Sequence, residues 1–318
     1  MIALAATDGW AQIGSYSRYG WKERNQAAPF GPRYGHGMIY RPGTDLKQGI
    51  YLWGGTNGAA DKNDMWRSSD GGASWISISQ GATVPSPRER FGMAYDRVRD
   101  RIVVVGGNVN AETWHFDPVA QTWRQGQDYP GAAGSNTLML TVYMDNIQKT
   151  VAYGGYTPVD DNTYGYAIDG SNNGTWSTLS TAGPGVGCQP NCAVRYSPGA
   201  AYDATRSVIV MEGGVIPGGP SLDEVWEFNG SVWTQNTQSP VPPARQNAAM
   251  AYDRNKQVAN LFGGMVIAGA FNGEAGTWEF LRDDTVGSGR GAVRRPMRQQ
   301  PDGAELAIGA RDGLRRES

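Results

Sequence analysis

The stretch from Arg88 to Gly107, RERFGMAYDRVRDRIVVVGG, decides the fold of this chain, because it contains a complete two-stranded unit that recurs. Small and apolar residues precede Tyr95, a polar stretch follows that tyrosine, and a run of valines then ends in a pair of glycines. Two apolar segments on either side of a polar turn are typical of a β-hairpin. We therefore predict a hairpin whose second strand ends at Gly106.

The same unit occurs five times along the chain. Its tyrosine lies 11 residues before the first glycine in four copies, and the first copy carries a three-residue insertion between the two. The tyrosines are Tyr40, Tyr95, Tyr143, Tyr202 and Tyr252. The glycine pairs are Gly54 with Gly55, Gly106 with Gly107, Gly154 with Gly155, Gly213 with Gly214, and Gly263 with Gly264. A repeat of roughly 50 residues indicates a solenoid or propeller architecture.

A second hairpin is predicted after each of the first four glycine pairs. Paired aromatic residues there bracket a turn-prone stretch, namely Trp66 with Trp75, Trp114 with Trp123, Tyr166 with Trp176, and Trp226 with Trp233. Two hairpins make a four-stranded antiparallel sheet, which must stack on its neighbours to bury its faces, and radial stacking gives a β-propeller. We predict an all-β fold of five four-stranded blades. The ten paired glycines are structural in this prediction, because a larger side chain there would collide with the adjacent blade.

The order of these residues, from an arginine through the tyrosine and the glycine pair to two tryptophans, resembles the kelch repeat over about Trp21 to Phe280. That resemblance implies a kelch-type β-propeller. The segment SSDGGASW, Ser68 to Trp75, also resembles the Asp-box turn of sialidase-like propellers. Such turns are structural at this position, so we transfer no sialidase chemistry from it.

The ends of the chain suggest how the ring closes. The fifth copy has Trp278 but no second tryptophan, whereas Trp21 lies 12 residues before Arg33, a spacing similar to that in other copies. We predict that the N-terminal segment supplies the outer strand of the fifth blade. Alternatively, Trp10 and Trp21 form the last hairpin of a further blade, and the chain is a piece of a larger propeller. The predicted organisation is an extension over 1–20, a propeller over 21–282 and a flexible basic tail over 283–318.

The composition excludes several classes of protein. Forty-five of 318 residues are glycine and 18% are charged, which disfavours coiled coils and helical bundles. The 28 basic and 30 acidic side chains give a net charge of −2, so we expect no attraction to nucleic acid or to an anionic membrane. No stretch approaches the roughly 18 apolar residues of a membrane helix. We expect neither a membrane span nor a nucleic-acid partner.

A set of five residues lies at equivalent positions, seven before each repeat tyrosine. It consists of Arg33, Arg88, Asn136, Arg195 and Arg245. In kelch proteins with a similar pattern, the matching arginines line the central binding face and bind acidic peptides, and fixed guanidinium groups suit a carboxylate. The alternative is that each arginine pairs with a local carboxylate or carbonyl and locks adjacent blades.

Acidic residues on the predicted loops between second and third strands are further candidates for the binding face. They include Asp160, Asp161, Asp223 and Glu224. An arginine and carboxylate cluster is what sialic-acid mutarotases, which are also kelch-like propellers, need to hold and isomerise an anionic sugar. Ordinary solvation of a loop explains the same residues, and no catalytic residue is identified.

Metal and cofactor chemistry find no support in the sequence, since the chain has two histidines, His36 and His115, in different repeats. We therefore expect no metal site and no cofactor, and we expect His115 to be exposed. Cys188 and Cys192 lie close together in CQPNC and are predicted to form a disulfide in an exported protein. The small residues of MIALAA are compatible with the end of an export signal, and equally with an arbitrary start. A secreted or periplasmic location follows from the first of these.

The function predicted from the sequence is a non-catalytic binding module, which recognises a peptide, glycan or surface partner through the loop face around the propeller axis. The alternative is a carbohydrate-active enzyme, an isomerase of the sialic-acid mutarotase type or a lyase, working at the same face. An enzyme should show a deep pocket with a carboxylate of perturbed pKa, and a binding module a broad face of aromatic side chains and arginines.

Overall fold

The fold was analysed in a computed structural model of the chain. It describes Arg24 and residues 27–131, 137–156, 161–184, 194–267, 271–273, 277–280 and 298–299. These residues form 22 β-strands and no helix.

The strands make five four-stranded sheets, which we call blades 1 to 5. Blade 1 contains β1 (Gly37–Arg41), β2 (Gly49–Trp53), β3 (Met65–Ser68) and β4 (Ile76–Ser77), and blade 2 contains β5 (Gly92–Asp96), β6 (Arg101–Val105), β7 (Thr113–Asp117) and β8 (Thr122–Gln125). Blade 3 contains β9 (Leu140–Met144), β10 (Lys149–Tyr153), β11 (Thr163–Ile168) and β12 (Gly174–Ser180), and blade 4 contains β13 (Gly199–Asp203), β14 (Val208–Glu212), β15 (Val225–Phe228) and β16 (Trp233–Asn236). Blade 5 contains β17 (Ala249–Asp253), β18 (Val258–Phe262), β21 (Thr277–Phe280) and β22 (Arg298–Gln299), with the hairpin β19 (Met265–Ile267) and β20 (Phe271–Gly273) inserted between β18 and β21.

Every blade is an antiparallel meander, and the five are arranged as a β-propeller. The predicted hairpin pairs β5 with β6, placing Gly92 opposite Val105 and Tyr95 opposite Ile102. Equivalent pairs recur in the other blades, as between Tyr202 and Ile209. The prediction of five four-stranded blades is therefore confirmed.

The outer strand of the fifth blade differs from the sequence prediction. The described partner of β21 is β22, with Trp278 opposite Gln299 and Glu279 opposite Arg298. The predicted donor, the N-terminal segment that carries Trp21, lies outside the described residues. The described outer strand of blade 5 thus comes from the C-terminal side of the chain, and closure by the N-terminal segment stays a prediction. Of the predicted tail over 283–318, the structure describes Arg298 and Gln299.

The apolar core lies between blades, in four buried clusters. Between blades 1 and 2, Trp53 packs against Trp123 with ring centroids 5.3 Å apart, and both indoles donate to Gln80 Oε1. The other three clusters join blades 2 and 3, blades 3 and 4, and blades 4 and 5. None of the four, among the described residues, joins blade 5 to blade 1. On the two sides of that boundary, Met38 is 51% exposed and Phe262 is 46% exposed.

The turn between β3 and β4 is closed by a carboxylate. Asp70 Oδ1 accepts hydrogen bonds from Ser68 Oγ at 2.8 Å and from the Ser74 backbone N at 2.9 Å. Its Oδ2 accepts from Ser74 Oγ at 2.7 Å. These contacts lie at the outer edge of blade 1, and they stabilise the turn locally, as side-chain to backbone bonds of Asp and Ser commonly do.

The paired glycines lie where adjacent blades touch. All ten have φ between 65° and 119°, a region that favours glycine. A Cβ on Gly154 would lie 2.2 Å from the carbonyl oxygen of Arg195 in the next blade, and one on Gly213 would lie 2.5 Å from that of Arg245. The first glycine of these pairs thus meets the backbone of the next blade, whereas a Cβ on Gly55, Gly107 or Gly214 would meet the entry segment of its own blade.

Candidate functional site

The inner strands of the five blades surround an axis with an opening at each end. We call one end the loop face, because it carries the connections from second to third strands and from one blade to the next. The other end is the hairpin face, which carries the tight turns between first and second strands. The described members of the predicted ligand-binding set belong to the loop face.

Arg88, which precedes the inner strand of blade 2, contacts two blades. Its carbonyl oxygen accepts from the backbone N of Gly55 in blade 1 at 2.9 Å. Its guanidinium donates to the carbonyl of Gly106 in blade 2 at 3.0 Å and to Glu112 Oε2 at 2.7 Å. Arg88 is 0% exposed. A guanidinium this deeply buried needs such partners, because an unpaired buried charge is costly.

The other three arginines repeat this arrangement. Arg33 forms two hydrogen bonds with Asp64 and donates to Gly54 O, and Arg195 donates to Glu224 Oε2 and to Gly213 O. Arg245 donates to Gly263 O at 2.8 Å. The side chain of Arg33 is 3% exposed, and those of Arg195 and Arg245 are 0% exposed. The guanidinium groups thus pair locally, as in the alternative to ligand binding, and these hydrogen bonds all lie within one blade. The contact with the preceding blade is made by the backbone carbonyl, which accepts from Gly155 N in the case of Arg195 and from Gly214 N in the case of Arg245.

The carboxylate partners share a position that sequence reasoning missed, two residues before the tryptophan of the third strand. Besides the arginine, each accepts a hydrogen bond from that indole, as in Asp64 with Trp66, Glu112 with Trp114 and Glu224 with Trp226. In blade 3 the equivalent of this tryptophan is Tyr164, which pairs with Ala152 as Trp114 pairs with Val104. The sequence there has asparagine at both positions, Asn136 and Asn162. The two charges are absent together, and this paired absence is the sequence signal that could have identified the ion pairs.

The sequence of blade 5 has Gly276 at the position of the carboxylate. Among the described residues, Arg245 Nε lies 3.8 Å from Glu212 Oε1, which is contributed by blade 4. Glu212 is 1% exposed, and neither of its carboxylate oxygens has a hydrogen-bond partner among the described residues. Burial raises the pKa of Glu212 to about 8, and the charge of Arg245 only partly offsets that effect.

Replacement of Glu212 by glutamine is expected to change the pH dependence of stability. The pKa of Glu212 is about 8 in the folded protein, against an ordinary value of 4.5 for a glutamate. Between these two pH values the folded chain binds a proton that the unfolded chain has lost, so stability falls as pH rises. Glu212→Gln stays neutral, and we expect it to be more stable than the parent at about pH 9, by on the order of 2 kcal/mol, with little difference at about pH 5. Urea unfolding at both pH values measures this. Glu279→Gln is the control, and equal effects of both variants at both pH values would contradict the assignment.

The remaining predicted site residues fall into two groups. Asn136, Asp160, Cys188 and Cys192 lie outside the described residues, so their predicted roles stay predictions. Asp161 is half-buried and Asp223 is exposed, both on connections of the loop face.

Burial acts to raise the pKa of Glu224, but the hydrogen bonds from Arg195 and Trp226 outweigh it and lower the pKa. Glu224 is thus an ionised partner of Arg195.

A ring of strained residues surrounds the opening on the loop face. Two positions after each arginine or its asparagine equivalent, the chain has φ between 56° and 63°, at Gly35, Arg90, Leu138, Ser197 and Asn247. Hydrogen bonds of 2.7 to 2.9 Å run between these residues in blade order, each backbone N donating to the carbonyl of the preceding one, from Arg90 to Asn247. Left-handed conformations of non-glycine residues cost free energy, and they cluster at functional sites. The cavity within this ring has a volume of about 260 Å³, and the described residues of its lining include no carboxylate.

Aromatic side chains are exposed on the same face. Tyr34 is 53% exposed and Tyr156 is 49% exposed. The rings of Tyr156 and Tyr196 meet edge to face with centroids 4.9 Å apart. These residues come from blades 1, 3 and 4, so the aromatic surface is spread around the opening.

The opening on the hairpin face is larger, with a volume of about 430 Å³. It is lined by the five tyrosines of the repeat. Sequence reasoning identified these tyrosines as markers of the repeat and missed their convergence, because that depends on ring closure rather than on any local pattern.

The two histidines are separate in the structure. His115 is 1% exposed, which corrects the expectation that it lies at the surface, and its Nδ1 lies 3.0 Å from Tyr166 Oη. Burial lowers the pKa of His115 to about 4. Within the described part of the chain, no group of three or more His, Cys, Asp or Glu residues is placed to hold a metal ion.

Comparisons with known proteins show the fold alone. No protein-family model matches the sequence, and no curated protein matches it. Among solved structures, the chain is similar to YjhT with a TM-score of 0.59 and 15% identity, covering 80% of this chain and 84% of that one. YjhT is also a propeller. At this identity the likeness supports the architecture and no shared activity.

In the residues that the structure describes, no helix is long and apolar enough to cross a membrane.

Proposed function

We propose that this chain is a non-catalytic binding module, which recognises a peptide, glycan or surface partner through the loop face around the propeller axis. The observation that carries the proposal is the pair of half-exposed tyrosines, Tyr34 and Tyr156, beside an opening whose described lining contains no carboxylate. Tyrosine is enriched at binding surfaces because it offers a large apolar ring and a polar hydroxyl at a low cost in side-chain entropy.

The backbone around the opening supports this proposal. Arg90, Leu138, Ser197 and Asn247 are held in left-handed conformations by hydrogen bonds from blade to blade. A rigid ring of this kind presents the neighbouring loops in fixed positions, which lowers the ordering cost of binding. Asp161 and Asp223 are the described acidic candidates on these loops for polar contacts to the partner.

The alternative, a carbohydrate-active enzyme, would need a carboxylate at the loop-face opening, and the described lining contains none, although Glu89 lies beside Gly35 of that lining. An acid or base must reach the bound ligand. Glu212 has the raised pKa of such a group, but it is 1% exposed and does not line the loop-face opening. Glu224 is held by Arg195 and Trp226. The geometry therefore favours binding over catalysis.

Two finer points belong to this proposal. The first is that the repeats are kelch repeats, which the arrangement of arginine, tyrosine and paired glycines supports. The second is a secreted or periplasmic location, where Cys188 and Cys192 would form a disulfide.

Loss of the exposed tyrosines is expected to weaken partner binding without loss of stability. A ligand is first identified on glycan and peptide arrays, and its affinity is then measured for Tyr34→Ala and Tyr156→Ala. We expect about a tenfold loss of affinity for each, since a central interface tyrosine contributes roughly 1.4 kcal/mol or more. Tyr40→Ala is the matched control, because Tyr40 is 55% exposed on the hairpin face. A ligand that is insensitive to both loop-face variants would contradict the proposal.

A further inference from the structure

The opening on the hairpin face has the size of a small-molecule site. Its volume of about 430 Å³ exceeds that of the loop-face opening and lies within the range of roughly 300 to 1,000 Å³ typical of ligand pockets. Every blade contributes a tyrosine to its lining, and Met93, Ala94, Met250 and Ala251 extend the apolar part. A cavity of this kind suits a ligand with an apolar body.

Hydrogen bonds hold three of the five tyrosines in position. Tyr95 Oη donates to Asp100 Oδ1 at 2.9 Å, and Gln48 Nε2 donates to Tyr40 Oη at 3.1 Å. Tyr252 Oη lies 2.7 Å from Thr205 Oγ1 on the turn of blade 4. Because these three hydroxyl groups already have partners on the turns, their rings contribute mainly apolar surface to the cavity.

Two arginines at this opening share one carboxylate. Arg97, from the turn of blade 2, lies 2.8 Å from Asp145 Oδ1, and Arg254, from the turn of blade 5, lies 3.3 Å from Asp145 Oδ2. Both arginines line the cavity, and their side chains are 36% and 55% exposed. Together, Arg97, Arg254 and Asp145 carry a net charge of +1, and the two guanidinium groups remain accessible to solvent.

Asp145 is a weakly held partner for these arginines. Burial raises its pKa, and the attraction of Arg97 does not overcome this effect, while the nearby Asp96 acts in the same direction as burial. An arginine pair that binds such a carboxylate in a partly exposed position has the geometry to bind another one.

We propose that the hairpin-face opening is a second binding site, which takes a small carboxylate with an apolar ring. The ring lies among the five tyrosines, and the carboxylate lies between Arg97 and Arg254 in the place of Asp145. This site goes beyond the proposed function, which uses the opposite face and a larger partner.

Phenylacetate is the probe, and isothermal titration of the full chain measures its affinity. Arg97→Gln and Arg254→Gln are each expected to weaken binding about tenfold, because each removes one charge-assisted contact. Asp145→Asn is expected to strengthen binding by about threefold or more, because it removes the internal competitor for both arginines. A gain of affinity on removal of a side chain is an outcome that a merely structural role of Asp145 does not produce.

Two controls isolate the proposed contacts. Arg124→Gln changes an exposed arginine on β8, away from the opening, and should leave the affinity unchanged. The neutral probe 2-phenylethanol has the same ring without the carboxylate, and it should bind at least about tenfold more weakly than phenylacetate. Equal binding of the two probes, no binding of phenylacetate to either the parent or Asp145→Asn, or binding that is indifferent to both arginine variants would each overturn the proposal. The loop-face variant Tyr156→Ala should bind phenylacetate normally, so a failure here is distinct from a failure of the proposed function.

Discussion

Arg88→Ala is expected to lower the free energy of unfolding by about 3–5 kcal/mol, the range measured when one partner of a buried ion pair is removed. The change leaves the carboxylate of Glu112 without its charged partner and leaves the carbonyl of Gly106 without its donor in a buried position. Urea unfolding followed by tryptophan fluorescence measures the effect. We expect the same direction for Arg195→Ala, which breaks the equivalent contacts with Glu224 and Gly213.

Blade 3 supplies the matched control for this prediction. Its asparagines, Asn136 and Asn162, stand where blade 2 has Arg88 and Glu112. The double variant Arg88→Asn with Glu112→Asn should therefore lose less stability than Arg88→Asn alone, since it removes both charges together. Arg124→Ala, at an exposed position, should change stability by less than about 0.5 kcal/mol. A loss of ligand affinity at unchanged stability in Arg88→Ala would contradict blade locking and restore the ligand-binding interpretation of this arginine.

Gly154→Ala is expected to destabilise the protein by about 3–4 kcal/mol, as the sum of overpacking and left-handed strain. Its φ is 72°, and a Cβ would lie 2.2 Å from the carbonyl oxygen of Arg195. That oxygen belongs to the backbone of the next blade and accepts from the Gly155 N at 3.2 Å, so relief of the collision requires blades 3 and 4 to separate. Thermal and urea unfolding measure the change.

Gly58→Ala separates the two contributions. Gly58 has φ of 87°, but a Cβ there would meet nothing within 4 Å. We expect this control to lose only about 1 kcal/mol, the backbone part of the effect. Similar losses in Gly58→Ala and Gly154→Ala would show that the contact between blades contributes nothing, against the role that we give the paired glycines.

The blades could be predicted from the sequence because a hairpin is encoded locally. Polar turns after Tyr95 and Tyr252 and the glycines that follow fix strand ends without knowledge of the tertiary structure. The outer strand of blade 5 could not be predicted, because Arg298 and Gln299 carry no aromatic or β-branched residue to mark a strand.

The role of the arginines was undecided in the sequence for a different reason. Spacing places Arg88 before its inner strand, but spacing does not determine whether a long side chain turns toward the axis or into the blade. The burial of Arg88 depends on Glu112, which lies 24 residues away in sequence. The candidate site on the hairpin face depends on contacts that reach further still, since Arg254 and Asp145 are 109 residues apart.

The boundary between the first and last blades has a mechanical consequence. Four buried clusters join the five blades in series, and none of those clusters spans this boundary among the described residues. We expect the ring to open first at this boundary, because described apolar packing joins every other pair of adjacent blades. Tyr40 and Tyr252 lie on opposite sides of the boundary at the hairpin face, as Gly35 and Asn247 do at the loop face. Both openings therefore border on the same boundary between blades.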